Sequence, residues 1–281
     1  MWIYLSGSDG LSQIILYDYQ PGRGGRYPQE FLEGFSGMLQ CDGYQGYNKV
    51  NDVILVCCLA HCRRKFYEAV PAKRRKSWKL FDINSEEAIP EPSIPKDPTD
   101  KSLIPAKIGL AYCNKLFFIE RELKDLAPEE RKAKREEKEN TVWEEFWNWL
   151  SSLQPAGGSQ LEKAVNYAQN HRETLCNYLL DARCEISNNA AERRAKSYAI
   201  GRKAFLFHTS AAGDGSLQYG MLFIAYVTSE AYSSVYDECL DRAADEKAES
   251  ARPELSRATA YPLCMYWTIM TSWAGDYKNN H

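Results

Sequence analysis

The chain has 281 residues, 44% hydrophobic and 26% charged, with 35 basic against 38 acidic side chains and a net charge of -3. That apolar content supplies a core and excludes a disordered chain. The near balance of charge excludes a protein that engages polyanions through its overall charge. In chain order, Met1 to Leu5 and Ile14 to Tyr19 are β-type runs around a turn at Gly7 to Gly10, which predicts an antiparallel hairpin. Pro28 to Phe35 sets Phe31, Leu32 and Phe35 at helical spacing, and a short apolar run, Met38 to Cys41, ends at Asp42-Gly43. Val53 to Ala60 is apolar throughout and predicts a strand buried on both faces, leading into His61 and a basic helix through Val70. Hairpin, helix, two strands and helix describe a mixed α/β sheet.

Residues 82 to 100 hold six acids, one lysine and four prolines, which predicts a linker or surface excursion. From about Lys107 to Tyr178 the pattern is helical, with breaks at Pro128 and at Pro155 to Gly158. The Lys/Glu/Arg segment Glu129 to Glu139 is expected to be a solvated helix face with i,i+4 pairs. Ser187 to Arg194 opens another helix, Ala204 to Phe207 is a short apolar segment, and Gly213 to Tyr226 reads as a last apolar helix. Beyond Tyr232 the pattern weakens, and residues 237 to 250 carry six acids against two bases. The expected organisation is a first part of the core over 1–71, a linker and helical insertion over 72–183, a second part of the core over 184–232 and a divergent tail over 233–281.

Nine cysteines, an odd count that includes the adjacent Cys57 and Cys58, fit a reduced cytoplasmic chain better than a disulfide framework. No signal peptide is legible before residue 20, and the apolar stretch Tyr261 to Ala274 is too short to span a bilayer, so no membrane partner is expected. Charge sorted by segment is more telling than its sum. Arg63, Arg64, Lys65, Lys73, Arg74, Arg75 and Lys76 face one acid, Glu68; Arg193, Arg194, Lys196, Arg202 and Lys203 surround Glu192. Such clusters suit phosphate oxygens, or else they are solvated helix faces. Asp42 stands where a carboxylate could project over the sheet edge toward a metal, though Asp-Gly is also a common turn. Glu192 stands three residues after Asn189, the spacing of a capping box. Together, beside basic patches, the two carboxylates favour Mg²⁺, which takes oxygen ligands from one or two carboxylates plus phosphates. Cys57, Cys58, His61 and Cys62 could be half of a zinc site, but no second half is found and buried thiols are the simpler reading.

Cys41-Asp42-Gly43-Tyr44-Gln45-Gly46-Tyr47, Cys58-Leu59-Ala60-His61-Cys62-Arg63-Arg64-Lys65-Phe66, Asn188-Asn189-Ala190-Ala191-Glu192-Arg193 and Gly201-Arg202-Lys203 occur in the order seen in insertion sequence 66 transposases. The resemblance covers roughly residues 1 to 230. It implies a DDE transposase with a ribonuclease-H-like α/β fold, a long all-helical insertion, and three carboxylates binding two Mg²⁺ (or Mn²⁺) ions. By the resemblance Asp42 is the second carboxylate and Glu192 the third, Cys58 and His61 form a supporting C-x-x-H signature, and Arg63, Arg64, Lys65, Arg193, Arg194, Arg202 and Lys203 contact DNA. One metal would activate water or a DNA 3′-hydroxyl, and the other would stabilise the leaving oxygen of an in-line displacement. The expected partners are DNA, as element ends and target, and a homo-oligomer or a full-length transposase subunit.

In that family the first catalytic Asp lies on a strand just upstream of the segment resembling Met1-Trp2-Ile3-Tyr4. The resemblance therefore implies a fold incomplete at the N-terminus, a truncated copy and impaired catalysis. Asp9, in a predicted turn, and Asp18, after an outer strand, are poor substitutes. Ser187 stands where the family often has Asp, and Ala204 where it usually has Asn. The alternative expectation is a non-enzymatic DNA-binding or subunit-interaction remnant.

Overall fold

The computed structural model describes residues 2–7, 15–18, 20–75, 91–100, 102–195 and 266–271. The segments Ala204 to Phe207, Gly213 to Tyr226 and 237–250 lie outside the described residues, as does Asp9. The chain divides into two compact units, Met1–Leu55 with Asn188–His281, and Val56–Ser187. Among the described residues no helix is long and apolar enough to cross a membrane.

The first unit is built on a five-stranded mixed sheet. Strands β1 (Trp2–Ser6) and β2 (Ile15–Asp18) form the expected antiparallel hairpin, with Trp2 opposite Asp18 and Leu5 opposite Ile15. Helix α1 (Arg26–Phe31) leads to β3 (Gly37–Cys41), then β4 (Val53–Cys57), which runs across the division between units. The remaining strand, β5 (Tyr266–Thr271), lies between β1 and β3, giving the order β2-β1-β5-β3-β4. Side chains two apart in a strand share a face, so Trp2 and Tyr4 of β1 and Leu39 and Cys41 of β3 bury against Tyr27, Phe31, Leu32 and Phe35. Tyr4 stacks on Phe31 with ring centroids 3.7 Å apart.

The β4 run departs from expectation. It is an edge strand, Ile54 is 45% exposed, and the strand stops at Cys57. Among the described residues it has a strand neighbour on one side only, which leaves part of the apolar run uncovered. Leu59 and Ala60 instead enter helix α2, whose first turn closes where the His61 N–H donates to the Cys58 carbonyl at 3.3 Å.

The second unit is helical: α2 (Leu59–Ala69), α3 (Ala72–Arg75), α4 (Pro105–Leu123), α5 (Pro128–Ser152), α6 (Gln160–Asn170) and α7 (Arg172–Cys176). Pro105 and Pro128 open their helices, where a missing N–H costs nothing. Ser159 caps α6 by accepting from the Glu162 N–H at 3.1 Å, while the Glu162 carboxylate accepts from the Gly158 N–H at 2.6 Å. Helix α2 packs on α4 and α6, and α4 on α5, around Phe66, Tyr112, Phe146 and Trp149. The Phe66 ring occupies the space that a Cβ at Gly109 would need, so that glycine lets α2 and α4 approach.

The charged segment 129–139 is not uniformly solvated. Arg135 and Glu139 are fully buried, and Arg131 and Arg135 both pair across to Glu120 of α4 rather than along their own helix. Composition cannot distinguish the two cases, because a buried guanidinium with a carboxylate partner reads like an exposed one.

Candidate functional site

Asp42 follows the last residue of β3 and is half-buried. Its Oδ1 accepts from the Tyr44 N–H at 3.0 Å, an Asx turn, and Gly43 takes φ 83°, where a side chain would be strained. The turn reading of Asp42 holds: one oxygen braces the loop that follows the end of β3. The loop is held rigidly. Tyr44 Oη donates to the Arg23 carbonyl at 2.7 Å, the Arg23 guanidinium lies 4.7 Å from the Tyr44 ring centroid, and Tyr47 is fully buried edge-on to Trp2. Gly25 and Gly46 meet so closely that a Cβ on Gly25 would strike the Gly46 carbonyl. Tyr44, Gly46 and Tyr47 therefore hold the loop that follows Asp42 in place.

Glu192 lies in a helix over residues 189–195, half-exposed, with Arg193 and Arg194 exposed beside it. Its N–H donates to the Asn188 carbonyl at 3.1 Å, so Asn188, not Asn189, precedes the first turn. Glu192 is then four residues past the cap and not at the capping-box position. Asp18 closes β2 at the outer edge of the sheet, accepting twice from Gln20 Nε2 at 3.0 Å.

Cys58 is fully buried at the start of α2, and His61 is half-buried in its first turn. The neighbouring thiols are apolar packing. Cys62 hydrogen-bonds Cys113, and that bond together with burial holds its thiol well above the usual range; Cys57 Sγ lies 3.6 Å from Tyr167 Oη. Neutral thiols are poor ligands and nucleophiles. The basic residues that follow diverge. Arg63 is only 8% exposed, donating from Nε to Asn114 Oδ1 at 2.6 Å with its guanidinium 5.8 Å from the Phe117 centroid, which ties α2 to α4. Arg64 is exposed and Lys65 half-exposed. Arg75 turns back to the Val70 carbonyl at 2.6 Å and closes the end of α2.

Asp42, Glu192, Arg193 and Arg194 thus share one unit, and Cys58, His61, Arg63, Arg64 and Lys65 share the other; Arg202 and Lys203 lie outside the described residues. Among the described residues no group of three or more His, Cys, Asp or Glu side chains is placed to hold a metal ion.

The chain is 29% identical over 208 residues to "Uncharacterized protein y4hP" of Sinorhizobium fredii (strain NBRC 101917 / NGR234), covering 70% of this chain and 35% of that protein. It is 29% identical over 212 residues to "Uncharacterized protein y4qI" of the same organism, covering 71% of this chain and 34% of the relative. The chain thus spans about a third of the length of the curated relatives it matches. No solved structure matches it. Residues 1–215 match the Transposase IS66 family, and since that is more than half of the chain and contains every described site residue, the chain belongs to the Transposase IS66 family.

Proposed function

We propose that this chain is a DNA-binding transposition protein of the ribonuclease-H-like, DDE class whose strand cleavage is impaired. The antiparallel β1–β2 hairpin, the helix leading to β3, and the Asp at the end of β3 support the fold reading. The observation that carries the functional reading is the carboxylate set. Asp42, just after the end of β3, and Glu192, in the helix over residues 189–195, are hard oxygen donors of the kind Mg²⁺ or Mn²⁺ takes. The flanking strands β5, YWTIMT, and β4, VILVC, add none.

The described residues therefore do not fit a complete two-metal centre, and no cleavage step is assigned to them. What this chain's residues do supply is DNA engagement. Arg64, Arg193 and Arg194 are exposed cations suited to phosphate oxygens. Arg63 holds the helix that presents Arg64. The same observation favours the second reading, a non-enzymatic DNA-binding or subunit-interaction protein, over a fully active transposase.

The test is DNA binding across a salt series, with and without Mg²⁺, on duplexes carrying the element's ends. The expected result is binding that weakens by about 0.9 log units per phosphate contact per log unit of salt, with little or no nicking. Efficient Mg²⁺-dependent nicking lost in Asp42→Ala would overturn the impairment. No binding at low salt would overturn the function.

A further inference from the structure

The segment leading from β2 into α1, Gln20-Pro21-Gly22-Arg23-Gly24-Gly25-Arg26-Tyr27, carries two arginines and no acid. Neither arginine is among the DNA-contacting residues that the family resemblance implies. The backbone of this loop is pinned along its length. Trp2 Nε1 donates to the Gly22 carbonyl at 3.3 Å, Tyr44 Oη to the Arg23 carbonyl at 2.7 Å, and the Tyr27 N–H to the Gly24 carbonyl at 3.1 Å. A Cβ at Gly25 would lie 2.3 Å from the Gly46 carbonyl oxygen, so glycine there lets the loop lie directly against the one that follows Asp42.

The two side chains are presented alike. The Arg23 guanidinium lies 4.7 Å from the Tyr44 ring centroid, and that of Arg26 lies 4.7 Å from the Tyr27 centroid. Stacking holds a guanidinium by its flat face, whereas phosphate oxygens are bound by the N–H groups at its edge. Arg26 is exposed and donates from Nη2 to Tyr27 Oη at 2.9 Å, one use of a group with five N–H donors. Glu30, one turn further along α1, is exposed, where salt screens its attraction to Arg26. Tyr44 links this pair to Asp42: its ring carries Arg23, and its N–H donates to Asp42 Oδ1 at 3.0 Å.

We propose that Arg23 and Arg26 form a phosphate-binding ledge that holds a DNA strand beside the Asp42 loop. The ledge positions the strand without selecting its sequence, because phosphate contacts fix register and do not read bases. It rests on the DNA-binding reading above and adds to the arginines assigned there.

Anisotropy titrations of the full chain on one duplex over a salt series, with Arg23→Gln and Arg26→Gln, test the ledge. Glutamine removes the charge and, at position 26, keeps an N–H for Tyr27 Oη. Each substitution is expected to weaken binding at low salt by about threefold to tenfold and to lower the salt slope by about one unit, with about two for the pair. Hydrogen exchange at 2–6 and 37–41 is expected to match the parent. Parent-like affinity and slope in Arg26→Gln overturn the proposal. A loss confined to Arg23→Gln and accompanied by faster exchange at 2–6 also overturns it, since Arg23 would then only support Tyr44. Photo-cross-linking of 5-iodouracil-substituted DNA locates the strand: adducts are expected within residues 20–49, and adducts exclusively elsewhere overturn the ledge. A parent chain that binds no DNA at low salt removes the proposed function and the ledge together. A parent that binds, weakened by Arg64→Ala but by neither loop substitution, removes the ledge alone.

Discussion

Arg135 donates from Nε to Glu120 Oε1 at 2.6 Å, with both side chains shut off from solvent. The guanidinium also donates to the carbonyls of Tyr178, Asp181 and Cys184 at 3.1, 3.0 and 2.7 Å, so one cation ties α4, α5 and the segment leading toward residue 188. Burial raises the Glu120 pKa, but the Arg135 hydrogen bond and the charges of Arg135 and Arg131 outweigh it and leave the carboxyl below its ordinary value. Removing one partner strands the other in a dry site. Arg135→Leu is expected to destabilise the chain by about 3–5 kcal/mol in urea unfolding, and a loss below about 1 kcal/mol would refute the staple.

Glu139 behaves oppositely. Burial, reinforced by the Glu120 charge, pushes its carboxyl well above the usual range, against the opposing influence of Tyr178 and Arg135. The folded state keeps a proton that the unfolded chain releases, so this group's stability is complete below the ordinary glutamate pKa and is lost as pH rises toward the folded value. Over that window the parent should lose up to about 1.4 kcal/mol per pH unit. Glu139→Gln should abolish the slope and match or exceed the parent at pH 8; parallel stability curves for the two proteins would disprove it.

Arg63 and Arg64 are adjacent in sequence and opposite in circumstance. Arg64→Ala should weaken DNA binding for all sequences alike and lower the salt slope by about one unit, with unchanged stability. Arg63→Ala should lower stability by about 1–3 kcal/mol, since Asn114 loses its charged donor, and leave the salt slope near the parent's. Anisotropy titrations and denaturant curves on both variants separate the roles; equal effects on the slope would merge them.

At Asp42 the isosteric change separates structure from charge. Asp42→Asn keeps an oxygen for the Tyr44 N–H and should leave unfolding nearly unchanged, whereas Asp42→Ala should cost about 1 kcal/mol. Equal losses in the two variants would mean that the Asx turn does not brace this loop.

Gly109→Ala gains about 1 kcal/mol of helix propensity yet sets a methyl into the Phe66 ring. The clash between α2 and α4 should prevail, for a net loss of about 1–2 kcal/mol; a thermal shift upward would show that the helices yield at no cost.

Much of the fold was legible because it is local. The 2–6 and 15–18 runs, the prolines opening α4 and α5, and the Asp-Gly turn each follow from alternation, helical spacing or backbone preference within a few residues. The candidate residues, Asp42 in its Gly/Tyr loop and Glu192 among arginines, can be named from residue type and order alone. Which arginine faces solvent was not legible: Arg63 and Arg64 differ only in the helix face they occupy, and Arg135 looked like its exposed neighbours until Glu120, 15 residues away, came beside it.

The amino-acid sequence by itself determined the family, the hairpin and the helical character of residues 105–152, because these are written in short motifs and nearby periodicity. Only the tertiary structure decided that Tyr266–Thr271 lies between β1 and β3. Pairing between strands more than two hundred residues apart is settled by which buried edge is left to satisfy, and no local pattern records it.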